Sequence, residues 1–142
     1  MRVITGSARG RRLKEIEGLE TRPTTDRVKE ALFSVIQFDI EGRRVLDLFA
    51  GTGQLGIEAL SRGAESAVFV EQRKDAVQAV RENLVVCGLS DRARVVSGDA
   101  MSYLKSGEKF DLIFLDPPSA SGLLEQALEE IFCYREKPQH VY

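Results

Sequence analysis

Four acidic residues stand where short apolar runs end. Asp47 lies within the end of the run 45–49, Glu71 directly follows 67–70, Asp99 comes three residues after Val96, and Asp116 directly follows 112–115. Carboxylates gathered along one edge form an acceptor-rich rim that suits cations and hydroxyls and repels phosphate. Between the first two acids runs Gly51-Thr52-Gly53-Gln54-Leu55-Gly56, whose glycines let backbone approach a ligand closely. After the fourth comes Asp116-Pro117-Pro118-Ser119. The two prolines stiffen the backbone and remove two N–H donors, leaving carbonyls as acceptors beside the Asp116 carboxyl. Such a cluster fits a planar exocyclic amine: two hydrogen bonds would localise the nitrogen lone pair and aim it at an electrophile. The amine proton is lost only after the nitrogen has become cationic and acidic, so a weak base such as Asp116 suffices.

The elements that must position these groups alternate. The apolar runs 45–49, 67–70, 93–96 and 112–115 read as strands. Ala76, Val77, Val80 and Leu84 mark a helix closed by Gly88, and Leu124, Ala127, Leu128 and Ile131 mark another. An earlier helix, capped by Thr25 or Asp26, is expected to bury Val28, Leu32, Val35 and Ile36. Continuous apolar strands separated by amphipathic helices predict a doubly wound α/β fold, mostly parallel, with helices on both faces. Right-handed crossovers then place the strand carboxyl ends, and with them the four acids, along one edge where such folds hold ligands.

The spacing Gly51-x-Gly53-x-x-Gly56, with Glu71 twenty residues beyond Gly51, would also satisfy a dinucleotide fingerprint. Asp47 argues against that, because a carboxylate just before the loop would face a pyrophosphate. S-adenosylmethionine carries a sulfonium and an ammonium and no phosphate, so an acidic rim suits it. Glu71 can accept the ribose hydroxyls, Asp99 the adenine amine, and Asp47 can bind near the methionine ammonium, directly or through water. Any one of these acids could instead be only a helix cap.

Bulk properties fit one core. The 142 residues are 43% hydrophobic and 30% charged, in the range of a globular domain. Arginines interrupt residues 1–14, so no signal peptide or membrane span is expected there, and a cytoplasmic location is the default. Cys87, Cys133 and His140 are too scattered for a disulfide framework or a zinc site, and no metal is expected. Charge is uneven: residues 1–14 carry Arg2, Arg9, Arg11, Arg12 and Lys14 and no acid, against a net charge of −2 for the chain. A basic segment on an acidic protein suits a polyanion, although the same residues could form an ordinary solvated face. Short strands around the turn 6–10 would make it a basic hairpin, so the chain divides into a hairpin extension over 1–20 and a main domain over 21–142.

DLFAGTGQLGIEALSRGA, the VEQ around Glu71, the SGDA around Asp99, LIFLDPP and, most narrowly, TRPTTDRVKEALFSVI resemble the RsmD family of bacterial 16S rRNA guanine-N2 methyltransferases. The likeness runs from Met1 to about Ile131. It implies a Rossmann-like class I methyltransferase, S-adenosylmethionine as donor with S-adenosylhomocysteine as product, and a guanine N2 of 16S rRNA or a small-subunit intermediate as acceptor. The base would be flipped into the pocket. The family's cofactor contacts carry over to Asp47, Phe49, Gly51, Thr52, Gly53, Gly56, Glu71, Gln72, Asp99 and Ala100, and its catalytic segment to Asp116, Pro117, Pro118 and Ser119. Arg22, Pro23, Thr24 and Asp26 would border the pocket, and Arg9, Arg11 and Arg12 would touch RNA phosphates. Two departures stand out. The family has Tyr where this chain has Ser119, and a stacked base gains about 1–3 kcal/mol from an aromatic neighbour. The family also continues into a further strand and a terminal hairpin, whereas residues 133–142 show no strand pattern here, so C-terminal strands are expected to be missing. The alternatives are a DNA adenine-N6 methyltransferase, since Asp-Pro-Pro serves any exocyclic amine, and a non-catalytic remnant that binds RNA or cofactor.

Overall fold

The computed structural model describes residues 1–16, 25–117, 121–133, 138 and 140–142. In chain order the elements are α1 (Thr25–Ile36), β1 (Arg44–Leu48), α2 (Gln54–Ser61), β2 (Ser66–Glu71), α3 (Lys74–Cys87), a short 3-10 turn (Ser90–Arg92), β3 (Ala93–Ser97), α4 (Ala100–Leu104), β4 (Leu112–Leu115), α5 (Leu123–Cys133) and β5 (His140–Val141). Every strand pair is parallel, in the order β3-β2-β1-β4-β5. The chain leaves β1 towards β2 on one side and later returns to its other side with β4. The crevice for a ligand therefore opens beyond the carboxyl ends of β1 and β4.

The sheet buries both faces, which is why its strands read as unbroken apolar runs. On one face, Val45, Ala67, Phe69, Leu112 and Phe114 pack with Phe33 of α1, Ile57 and Leu60 of α2, and Val80 and Leu84 of α3. On the other, Leu46, Leu48, Val68, Val70 and Ile113 pack with Ala100 and Leu104 of α4 and Ala127 and Ile131 of α5. The four expected strands fall where the apolar runs are. Helix α3 buries the predicted Ala76, Val77, Val80 and Leu84, and Gly88 ends it with a φ of 68°.

Helix α1 turns a different face inward. Val28 and Val35, expected in the core, are 61% and 77% exposed, while Lys29, Phe33 and Ile36 are buried. The series 29-33-36 has the same helical spacing as the predicted one, and its only flaw as a core face is a lysine. Tertiary structure supplies that lysine with a buried carboxylate, Glu58 of α2, at 3.3 Å. The tail also differs from expectation. Instead of lacking any strand, it ends in β5, which lies along β4 with Leu112 opposite His140 and Ile113 opposite Val141. Leu115 N–H donates to the Tyr142 carbonyl and Tyr142 N–H to the Ile113 carbonyl. Two strand residues are too few to show a period, so only the hydrogen-bonding edge of β4 reveals them.

The basic N-terminal segment is a hairpin reduced to one antiparallel bridge, Arg2 with Arg12, and it packs into the domain. Val3, Ala8 and Leu13 belong to the core beneath α1, α2 and α3. Gly6 sits against α2 so closely that a Cβ there would lie 1.9 Å from the Ser61 carbonyl oxygen, and its φ of 94° independently favours glycine. Arg9, Arg11 and Arg12 remain exposed.

Candidate active site

The loop after β1 is built on left-handed backbone. Phe49, Gly51 and Gly53 have φ of 63°, 59° and 85°, and a non-glycine residue held there marks a strained turn. The turn closes through Ala50 N–H to the Val70 carbonyl and Gly53 N–H to the Ala50 carbonyl. Gly56 serves packing: a Cβ on it would meet the Phe69 ring at 2.4 Å, so only glycine lets α2 lie this close to β2. Thr52 is half-buried, and its carbonyl accepts from the Asn83 amide at 3.0 Å.

The four strand-end acids occupy distinct environments. Asp47 lies beneath the loop, 1% exposed, and its Oδ2 accepts Gly56 N–H at 2.9 Å. Burial, opposed by that hydrogen bond and reinforced by the negative charges of Asp116 and Glu71, raises its pKa from 3.8 to about 8. Glu71 is half-buried and braces the turn, accepting Gly51 N–H at 2.9 Å through Oε1 and Arg73 N–H at 2.8 Å through Oε2. Each oxygen has a further lone pair for a ligand hydroxyl. Asp99 caps α4, with Oδ2 accepting Ser102 N–H at 2.9 Å and Ser102 O–H at 3.1 Å, while Oδ1 takes no part in the cap. Asp116 is exposed just past β4, with Pro117 half-buried after it.

Asp47, Glu71 and Asp116 thus lie around the carboxyl ends of β1, β2 and β4, and the negative charges of Asp116 and Glu71 add to the burial that raises the Asp47 pKa. Gln72 is exposed beside Glu71, and Ala100 is buried at the start of α4. Asp26 is exposed in the first turn of α1. Arg22, Pro23, Thr24, Pro118 and Ser119, also read as site residues, lie outside the described residues. Among the described residues no cluster of His, Cys, Asp and Glu could hold a metal, and no helix is long and apolar enough to cross a membrane.

A family model described as conserved hypothetical protein 95 matches residues 1–135. The chain belongs to that family, the RsmD family of rRNA methyltransferases. The putative rRNA methyltransferase YlbH of Bacillus subtilis is 48% identical over 139 residues, which cover 95% of this chain and 76% of the relative. Ribosomal RNA small subunit methyltransferase D of Escherichia coli is 42% identical over 129 residues, 90% of this chain and 65% of the relative. The solved structure of the putative methyltransferase yhhF from Escherichia coli matches with a TM-score of 0.87 at 40% identity, over 96% of this chain and 75% of that one. The chain therefore spans about two thirds to three quarters of the length of these RsmD relatives. The parallel sheet, its strand order and the likeness to yhhF make the fold that of a Rossmann-like class I methyltransferase.

Sequence reasoning missed the buried polar groups that tie the N-terminal arm to the helices. Glu58, fully buried on α2, accepts Ile4 N–H at 2.8 Å and Thr5 N–H at 3.1 Å, and it pairs with Lys29 and with Arg62 at 2.9 Å. Asn83, 1% exposed on α3, bonds both the N-terminal arm and the loop. Each is a polar residue in an amphipathic helix, a type that sequence alone assigns to solvent. The one available signal was position: Glu58 and Asn83 fall among the apolar residues of their helices.

Proposed function

We propose that this chain is an rRNA methyltransferase that uses S-adenosylmethionine and acts, in the cytoplasm, on the exocyclic N2 amine of a guanine in small-subunit rRNA. The observation that carries the reading is the left-handed loop 49–53 at the carboxyl end of β1, with Glu71 bonded to Gly51 N–H, Asp47 beneath it bonded to Gly56 N–H, and Asp116 just past the neighbouring strand β4. The RsmD relatives named as rRNA methyltransferases supply the RNA class, and the Asp-Pro-Pro segment supplies the amine.

Glu71 would accept the ribose hydroxyls, Asp99 the adenine amine through Oδ1, and the backbone of 49–53 would lie along the cofactor, while Asp47 sets that backbone from below. The cofactor, when bound, supplies an electrophilic methyl on a sulfonium. The Asp116 carboxylate and the Pro117 carbonyl would accept the two N–H bonds of the target amine, holding its lone pair in line with that methyl. Asp116 would then take the proton from the methylated nitrogen. Pro118 and Ser119 continue this acceptor segment in sequence. On the arm, Arg9, Arg11 and Arg12 would neutralise phosphates of an RNA whose base is flipped into the pocket.

The test uses purified chain, S-adenosylmethionine and unmethylated small-subunit rRNA or particles, followed by nucleoside digestion and mass spectrometry. N2-methylguanosine is the expected product. Asp116→Ala should lower its formation on the order of 10²-fold or more while calorimetric cofactor affinity stays within about twofold. Methylation of adenine, or cofactor and RNA binding without turnover even after Ser119→Tyr, overturns the reading.

A further inference from the structure

Asn83 of α3 is the single side chain that touches both the basic arm and the glycine loop among the described hydrogen bonds. Its Oδ1 accepts Lys14 N–H at 2.6 Å, and its Nδ2 donates to the Lys14 carbonyl at 3.1 Å and to the Thr52 carbonyl at 3.0 Å. The amide is 1% exposed, so water offers no substitute for these partners. It is also planar. If the amide follows a shift of the Thr52 carbonyl, its rotation strains both bonds to Lys14. Lys14 is the last residue of the basic segment 1–14, and the neighbouring Glu82 of α3 holds its Nζ at 2.8 Å. Thr52 lies between Gly51 and Gly53, both at positive φ, in the turn that closes over β1.

We infer that Asn83 is a positioning residue that couples the two sites, so that occupancy of the glycine loop fixes the Lys14 end of the arm and tightens its hold on RNA. The inference rests on the reading of the loop as the cofactor site and the arm as an RNA contact. A ligand that fixes the Thr52 carbonyl also fixes the Asn83 amide, and the amide then holds both backbone groups of Lys14. RNA bound to the arm then meets Lys14 already held in one position, and the linkage runs equally in the other direction. Substrate RNA would thus be held best by enzyme already charged with methyl donor.

The experiment measures the affinity of in vitro transcribed small-subunit rRNA with and without saturating S-adenosylhomocysteine, which occupies the site without turnover. Wild-type chain should bind RNA at least about fivefold more tightly with the nucleoside present. In Asn83→Leu, which keeps the volume but none of the bonds, that ratio should fall to about one, with both separate affinities kept within about threefold. If N83L fails to fold, Asn83→Ser, too short to bridge the two segments, carries the same comparison. A ratio unchanged in the variants, or a loss of stability and of both affinities with the ratio intact, makes Asn83 a structural staple and overturns the inference. A wild-type ratio of one does the same while leaving the proposed function standing. Wild-type chain that binds the nucleoside but no rRNA overturns the rRNA reading and the coupling with it.

Discussion

Asp47 and Glu58 are both buried carboxylates, about three helical turns of chain apart in sequence, yet their surroundings are opposite. Glu58 has cations on both oxygens, Lys29 at 3.3 Å and Arg62 at 2.9 Å, and two backbone N–H groups besides. Arg62 in turn lies over the Phe33 ring at 4.9 Å. Asp47 has the Gly56 N–H and, among the described residues, no ion pair; its charged neighbours are the acids Asp116 and Glu71. One acid is satisfied by the fold and ties the arm to α2. The other has no cation beside it among the described residues, and burial favours its protonated form beneath the loop. A buried acid that the protein itself neutralises is structural; one whose neighbours share its sign points to a ligand.

Three measurements can break or sharpen this contrast. The largest effect is expected at Glu58. Glu58→Leu strands the buried Lys29 ammonium and the Ile4 and Thr5 N–H groups, and should destabilise the fold by about 3–5 kcal/mol in urea unfolding. Adding Lys29→Met should recover a large part of that loss. A single-variant cost within experimental error would remove the distinction. Next comes Glu71, which shares the carboxyl edge of the sheet with Asp47. Glu71→Gln keeps an acceptor for Gly51 N–H but loses the carboxylate, so calorimetric affinity for S-adenosylmethionine should weaken on the order of tenfold at nearly constant melting temperature. Unchanged affinity with a lower melting temperature would make Glu71 a brace of the Glu58 kind.

The smallest effect concerns Asp47 and pH. Burial raises its pKa from 3.8 to about 8, so the folded chain holds this proton more tightly than the unfolded chain. The resulting stability is fully present below about pH 4 and is lost as pH rises towards 8. Asp47→Asn mimics the protonated group and still accepts Gly56 N–H. At about pH 5 its stability should lie within roughly 1 kcal/mol of wild type, and its melting temperature should fall less between pH 5 and 8. An equally steep fall in the variant would show that Asp47 does not titrate in this range.

The fold was legible wherever a periodic signal met a common solution. The four apolar runs could only be buried strands, Gly88 had to end α3, and the acids at the strand ends had to share an edge once the strands were parallel. The same reasoning failed on α1, where a face led by Val28 and Val35 competed with one led by Lys29 and Phe33. Hydrophobicity favoured the first, and a partner 29 residues away decided for the second. The strand-end positions were legible: Asp47, Glu71, Asp99 and Asp116 lie at or just past the ends of β1 to β4. Their division of labour was not. That Asp99 caps α4, that Glu71 braces the loop and that Asp47 lies beneath it depends on which backbone N–H groups come within 3 Å.

What the order of residues determined by itself was the alternation of strand and helix, the glycine-rich turn with its acids, the Asp-Pro-Pro segment and the basic N-terminus, because each depends on local backbone preference or on side chains a few positions apart. Tertiary structure alone decided which face of α1 is inside, that the arm is packed into the core, that His140 and Val141 extend the sheet, and that buried Glu58 is paired with cations while buried Asp47 is bonded to backbone. Those outcomes depend on the compensation of buried polar groups, and the groups that compensate them are brought together only when distant segments of the chain close on one another.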